Sequence, residues 1–121
     1  MKLAGKCKIL RIFLDENLKL KNQLLYRTIV KKLLELKVAG ATVFKAVEGF
    51  GSKAHLHDAG VLELSENLPI LIEVVDTPTQ IRKALKAVEP MLPTHCLVTV
   101  QDIQVLHYHA PGGKHSHSRP L

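Results

Sequence analysis

Hydrophobic positions recur with two periods along this chain, and the switches between them mark out its elements. Over residues 7–14, Cys7, Ile9, Arg11 and Phe13 alternate with Lys8, Leu10, Ile12 and Leu14, a largely apolar run that predicts a strand nearly buried on both sides. Asp15-Glu16-Asn17 ends it. The period then lengthens. Leu25, Ile29, Leu33 and Leu36 fall on one helical stripe, widened by Tyr26, Val30 and Leu34, while Arg27, Lys31, Lys32 and Glu35 lie outside it. Asn22 offers an N-cap, the helix is expected to run to about Lys37, and Gly40 supplies a left-handed residue near its end.

Residues 41–48 return to β-type composition and lead into Gly49-Phe50-Gly51. A long connection, 49–66, follows, polar at its centre over 52–60 and with a short returning strand expected over 61–64; connections of this length in a compact domain are usually functional. Residues 68–76 form the third principal strand, with Pro69 at its start, where a missing N–H is tolerated. Thr77-Pro78-Thr79-Gln80 then combines an N-cap threonine, proline at the first helical position and a glutamine placed to complete a capping box. The helix that follows carries Ile81, Ala84, Leu85 and Val88 on one face, and Pro90 and Pro93 bracket its exit. Residues 96–106 read as one long strand or as two, with Gln101-Asp102 as a bulge.

This order, strand-helix-strand-strand-helix-strand, predicts an α+β domain of ferredoxin-like βαββαβ type. Right-handed crossovers would put both helices on one face of a four-stranded antiparallel sheet. One domain over 1–109 is expected, followed by a flexible histidine-containing tail over 110–121. Because the strands are apolar on both sides and no third helix remains, a second copy of the chain is the expected cover for the open face.

Composition narrows the picture further. With 46% hydrophobic and 23% charged residues the 121-residue chain is an ordinary globular one. No apolar run approaches the roughly 20 residues of a spanning helix, so the protein is expected to be cytoplasmic rather than membrane-embedded. The net charge of +6 favours anionic partners, but the lysines and arginines form no block and have few aromatics between them, so nucleic acid is not an expected partner. Cys7 and Cys96 form no CxxC motif and are expected to be reduced thiols in strands.

Gly40-Ala41-Thr42-Val43, then Gly49-Phe50-Gly51-Ser52-Lys53 and a histidine, resembles the PII signalling family, in which a Gly-x-Thr-Val strand runs into Gly-Phe-Gly at the base of a long loop. The spacing is one residue longer than in PII itself. Leu68-Pro69-x-x-x-Glu73-x-x-Asp76 resembles the PII-like branch of unknown function, with the likeness spanning roughly residues 7–108.

The resemblance implies a homotrimer that binds an adenine nucleotide or related effector in clefts between subunits. It also implies signalling through the 52–60 loop to a membrane transporter, channel or enzyme. Carried over, the ligand-binding residues would be Ala41, Thr42, Gly49, Phe50, Gly51, Ser52 and Lys53. The glycines would let backbone N–H groups approach an anion, and Lys53 would add charge. The Asp-Gly-Lys turn of PII is replaced by Pro90-Met91-Leu92-Pro93-Thr94-His95, and its terminal arginines by His107 and Tyr108 or His109. The loop tyrosine modified in some PII proteins has no counterpart, so nucleotidylylation is not expected.

His55-x-His57, His107-x-His109 and His115-x-His117 space imidazoles two residues apart, which in a strand aims both at one face. A divalent transition metal held by His55, His57, His107 and His109 is therefore the alternative regulatory ligand, although solvated loop and tail histidines would give the same pattern. No Ser-His-Asp set, P-loop, HExxH motif or carboxylate pair occurs at usable spacing, and a non-enzyme with no required cofactor is expected.

Overall fold

The computed structural model describes residues 3–51, 55–56, 62–63 and 68–109. In chain order the elements are β1 (Gly5–Asp15), β2 (Lys19–Leu20), β3 (Gln23–Leu24), α1 (Leu25–Glu35), β4 (Ala41–Lys45), β5 (His55–Leu56), β6 (Leu62–Glu63), β7 (Pro69–Asp76), α2 (Pro78–Val88), a 3-10 turn (Glu89–Met91) and β8 (Leu97–Val105). The principal sheet is antiparallel with order β4-β7-β1-β8, the ferredoxin-like arrangement expected from the pattern.

Side-chain alternation divides the sheet into two faces. Leu10, Ile12 and Leu14 of β1 and Ile70, Ile72 and Val74 of β7 meet Leu25, Ile29 and Leu33 of α1 and Ile81, Ala84 and Val88 of α2 in one buried cluster. Each leucine, isoleucine and valine among them contributes roughly 1.5–3 kcal/mol by leaving water. The other face carries Phe44, Leu71, Phe13 and Leu97 as one row across all four strands, by register. At its edges this row is open to solvent, with Phe44 47% and Leu97 57% exposed. The next row is polar: Thr42, Glu73, Arg11 and Thr99.

Several local expectations are corrected. Asn22 caps no helix. Lys21 and Asn22 both take left-handed backbone (φ 52° and 65°) and form the two-residue turn of the β2-β3 hairpin, a geometry that matches strand twist. The helix starts after Leu24 with no side-chain cap. At its end it is Lys37, not Gly40, that turns left-handed (φ 59°), and the Lys37 and Val38 N–H groups bond back to the Leu34 and Leu33 carbonyls as in a Schellman motif. β8 pairs with β1 without a break from Phe13↔Leu97 to Gly5↔Val105, so Gln101-Asp102 makes no bulge. Cys96 lies just before β8 rather than in a strand.

Thr77 accepts the Gln80 N–H at 3.2 Å as expected, but the other half of the capping box is absent. The Thr77 N–H goes to Asp76, and the Gln80 side chain reaches the Leu36 carbonyl, tying α2 to the end of α1. The returning strand of the long connection is β6, paired with β5. The 110–121 tail lies outside the described residues.

Candidate functional site

Among the described residues, the uncovered face carries a cleft at each end of β7. The first, of about 300 Å³, is lined by Leu3, Ala39, Gly40, Thr42, Glu73, Val75, Val105, His107 and Tyr108. It exists because residues 106–108 leave β8 at one edge of the sheet and cross its end towards the other. The Tyr108 carbonyl accepts the Leu3 N–H (3.1 Å), and the Tyr108 hydroxyl donates to the Ala39 carbonyl (3.3 Å). Leu3, Cys7 and Ile9 are buried at this end of the sheet.

Ala39 is held from its other side as well. Asp76, fully buried, accepts the Ala39 N–H at 2.8 Å and the Thr77 N–H at 2.7 Å, and has no cationic partner among the described residues. The segment that leads into β4 is thereby fixed to the end of β7. On the cleft floor, Glu73 pairs with the Arg11 guanidinium at 3.0 Å, and Arg11 also donates to Gln101 at 2.7 Å. One carboxylate, one hydroxyl (Thr42), one phenol and an imidazole thus surround an apolar wall of Leu3, Val75 and Val105, the mixture that ligand clefts of this size present.

The second cleft, of about 340 Å³, is lined by Phe13, Leu14, Asp15, Phe50, Gly51, Pro69, His95 and Leu97. It lies at the root of the long connection. The Ala46 N–H donates to the Pro69 carbonyl (2.9 Å), the Glu16 N–H to the Leu68 carbonyl (3.1 Å), and Lys45 pairs with Glu16 at 3.0 Å. Gly49 has φ +153°, a region that side chains rarely adopt, and the chain passes close over Pro69 there. Phe50 is 60% exposed. Burial, and secondarily the Asp15 carboxylate, raises the pKa of the neighbouring Cys96 thiol. Cys7, opposite Ile103, is at the far end of β1 from Cys96, and both thiols are free.

The ligand residues expected from sequence are therefore divided. Thr42 lines the first cleft and Phe50 and Gly51 the second, with Gly49 beside it; Ala41 is exposed on the edge strand and lines neither. Ser52, Lys53 and His57 lie outside the described residues, and His55 is placed only as part of β5. His107 enters the first cleft, whereas exposed His109 lines neither, and among the described residues no three potential ligands gather to hold a metal. Val75, Leu3, Ala39 and the inward role of Tyr108 were missed from sequence. Glu73 stood in the Leu-Pro motif, and its alternation with Arg11-bearing β1 was the available signal.

The model of the DUF190 family, uncharacterized ACR proteins, matches residues 7–105. The chain belongs to that family. It is 34% identical over 100 residues to a UPF0166 protein of Methanocaldococcus jannaschii, covering 83% of this chain and 92% of that one. A UPF0166 protein of Aquifex aeolicus is 28% identical over 102 residues, covering 84% and 95%. Among solved structures this DUF190 chain is similar to CPII of Thiomonas intermedia K12 bound to ADP and bicarbonate (TM-score 0.56, 24% identity, 83% of this chain and 88% of CPII). It is also similar to a Thermus thermophilus protein assigned to PII-like signaling (TM-score 0.58, 17% identity, 84% and 91%). The fold is that of PII-like proteins.

Proposed function

We propose that this DUF190 protein is a PII-like regulator that takes an adenine nucleotide as its effector, and that it acts by binding rather than by catalysis. The observation that carries the reading is the first cleft: a preformed apolar wall with Thr42, Glu73 and Tyr108 converging on it, in a chain whose fold is shared with a protein solved with ADP. An adenine ring suits Val75 and Tyr108, and a ribose hydroxyl suits the Glu73 carboxylate, which Arg11 keeps oriented.

In a single copy the glycine-bearing root of the long connection lies at the other end of β7, so a ligand that touches both needs a second copy. The half-open row of Phe44, Leu71, Phe13 and Leu97 supports such an assembly, since an apolar sheet face of this kind is ordinarily covered. Our reading is a homotrimer with the first cleft of one subunit set against the second cleft of its neighbour. Occupancy would then reach Gly49-Phe50-Gly51 and, through the connection they open, a partner such as a transporter or an enzyme.

A thermal-shift series with ADP, AMP, ATP and cyclic adenine nucleotides tests this directly, because a ligand that binds the folded state alone raises its apparent stability. At least one nucleotide is expected to shift the midpoint, and Glu73→Ala to abolish the shift. Native mass spectrometry should show three copies. No shift with any nucleotide, or a monomer at micromolar concentration, would sink the reading.

A further inference from the structure

The positive charge of the chain is segregated within the fold. Residues 19–37 and 78–89, which build the hairpin and the two helices, hold nine of the seventeen Lys and Arg but only two of the eleven Asp and Glu, whereas the rest of the chain is slightly acidic. Eight of those nine cations are exposed. Lys32, the half-buried one, is also the one of the nine with a carboxylate partner among the described residues, Glu35 at 3.6 Å.

Helix geometry aims this charge outwards. On α1 the buried stripe is Leu25, Ile29 and Leu33, so Arg27, Lys31 and Leu34 fall on the side away from the sheet; on α2, with Ile81, Ala84 and Val88 buried, Lys83 and Lys86 do the same. Arg27 and Lys31 are one turn apart, a like-charge spacing that works against the helix. They also wall a shallow cleft of about 320 Å³ with Gln23 and Thr28, wide enough for a single phosphate group. Among these cations Leu34 is 76% exposed.

We propose that the outer face of the helix layer is a docking surface for an anionic lipid bilayer. Basic side chains around an exposed leucine are what an interface of acidic headgroups over acyl chains accepts: the cations neutralise the headgroups and Leu34 enters the apolar boundary. A nucleic acid would satisfy the cations but would offer nothing to Leu34. Nor does the layer provide a base-stacking platform, since its one aromatic, Tyr26, is half-buried with the Arg27 guanidinium 5.8 Å from its ring centre. The surface lies on the opposite side of the sheet from both clefts, so lipid contact and effector binding compete for no residue. The inference stands whether or not the effector is a nucleotide.

Sedimentation of the full chain with phosphatidylcholine vesicles, with and without phosphatidylglycerol, tests it. Binding is expected only with the anionic lipid, and to fall steeply as salt is raised. Lys31→Ala and Lys83→Ala should each weaken partitioning roughly fivefold. Leu34→Ser should weaken it at unchanged charge, and Leu106→Ser, at an exposed leucine beyond β8 and outside the helix layer, should leave it as it was. All four positions are at the surface and circular dichroism verifies their folding. Failure to bind anionic vesicles, or equal binding to neutral ones, overturns the proposal. So does displacement from vesicles by nucleic acid together with indifference to Leu34→Ser, which would give the surface to nucleic acid instead.

Discussion

The two ends of β7 are held by different means. At the Asp76 end, a buried carboxylate and a tyrosine hydroxyl grip Ala39 from both sides, and three separate segments of the chain meet. At the Pro69 end, two backbone hydrogen bonds and one partly exposed ion pair secure the root of a long connection, and a glycine in unusual backbone geometry begins it. The first arrangement resists deformation because it is anchored on the fully buried Asp76 carboxylate, whose removal leaves two N–H groups without their acceptor. The second can adjust more readily, because its side-chain tie is a partly exposed ion pair. On the proposed reading, the gripped end would recognise the effector and the root would respond, and both are built on one strand.

This contrast is open to attack by substitution. Asp76→Ala should be the most damaging change, lowering stability by roughly 2–4 kcal/mol as two N–H groups lose their acceptor, read as a fall in the urea midpoint with an unchanged slope. Gly49→Ala should cost less, roughly 1–2 kcal/mol from backbone strain alone, because the added Cβ would meet Pro69 Cγ at an ordinary 3.5 Å. If the two proved equally harmful, the distinction between a gripped end and a yielding one would fail. Tyr108→Phe should be the mildest, losing about 1 kcal/mol of stability and about fivefold in nucleotide affinity by calorimetry as Ala39 is released on one side. An affinity that did not change would detach the crossing segment from the cleft.

Much of the fold was legible because it rests on periodicity. The 2-residue alternation of β1 and β7 and the 3.6-residue stripes of α1 and α2 are local signals, and Thr77-Pro78 marks a helix start without help from elsewhere. The hairpin at Lys21-Asn22 was not legible. It lacks the glycine that usually announces such a turn, and the leucines on either side continue into the helical stripe. Lys37 in place of Gly40 has the same cause: hydrogen bonds at the helix end, not residue type, select which residue turns left-handed. The candidate site was read in part. Thr42, Phe50 and Gly51 carry motif signals, but the path of Tyr108 back to Ala39 joins residues 69 positions apart, and no local pattern encodes it.

The hydrogen bond between Leu3 and Tyr108 has a topological consequence. It brings the two outermost described stretches of the chain together, at the end of the sheet away from Gly51. A short linker between them, with the backbone opened in the long connection instead, would give a circular permutant that keeps every strand neighbour of β4-β7-β1-β8. In that rearranged chain β8 would precede β1 directly, and the unbroken β1–β8 ladder would become a hairpin.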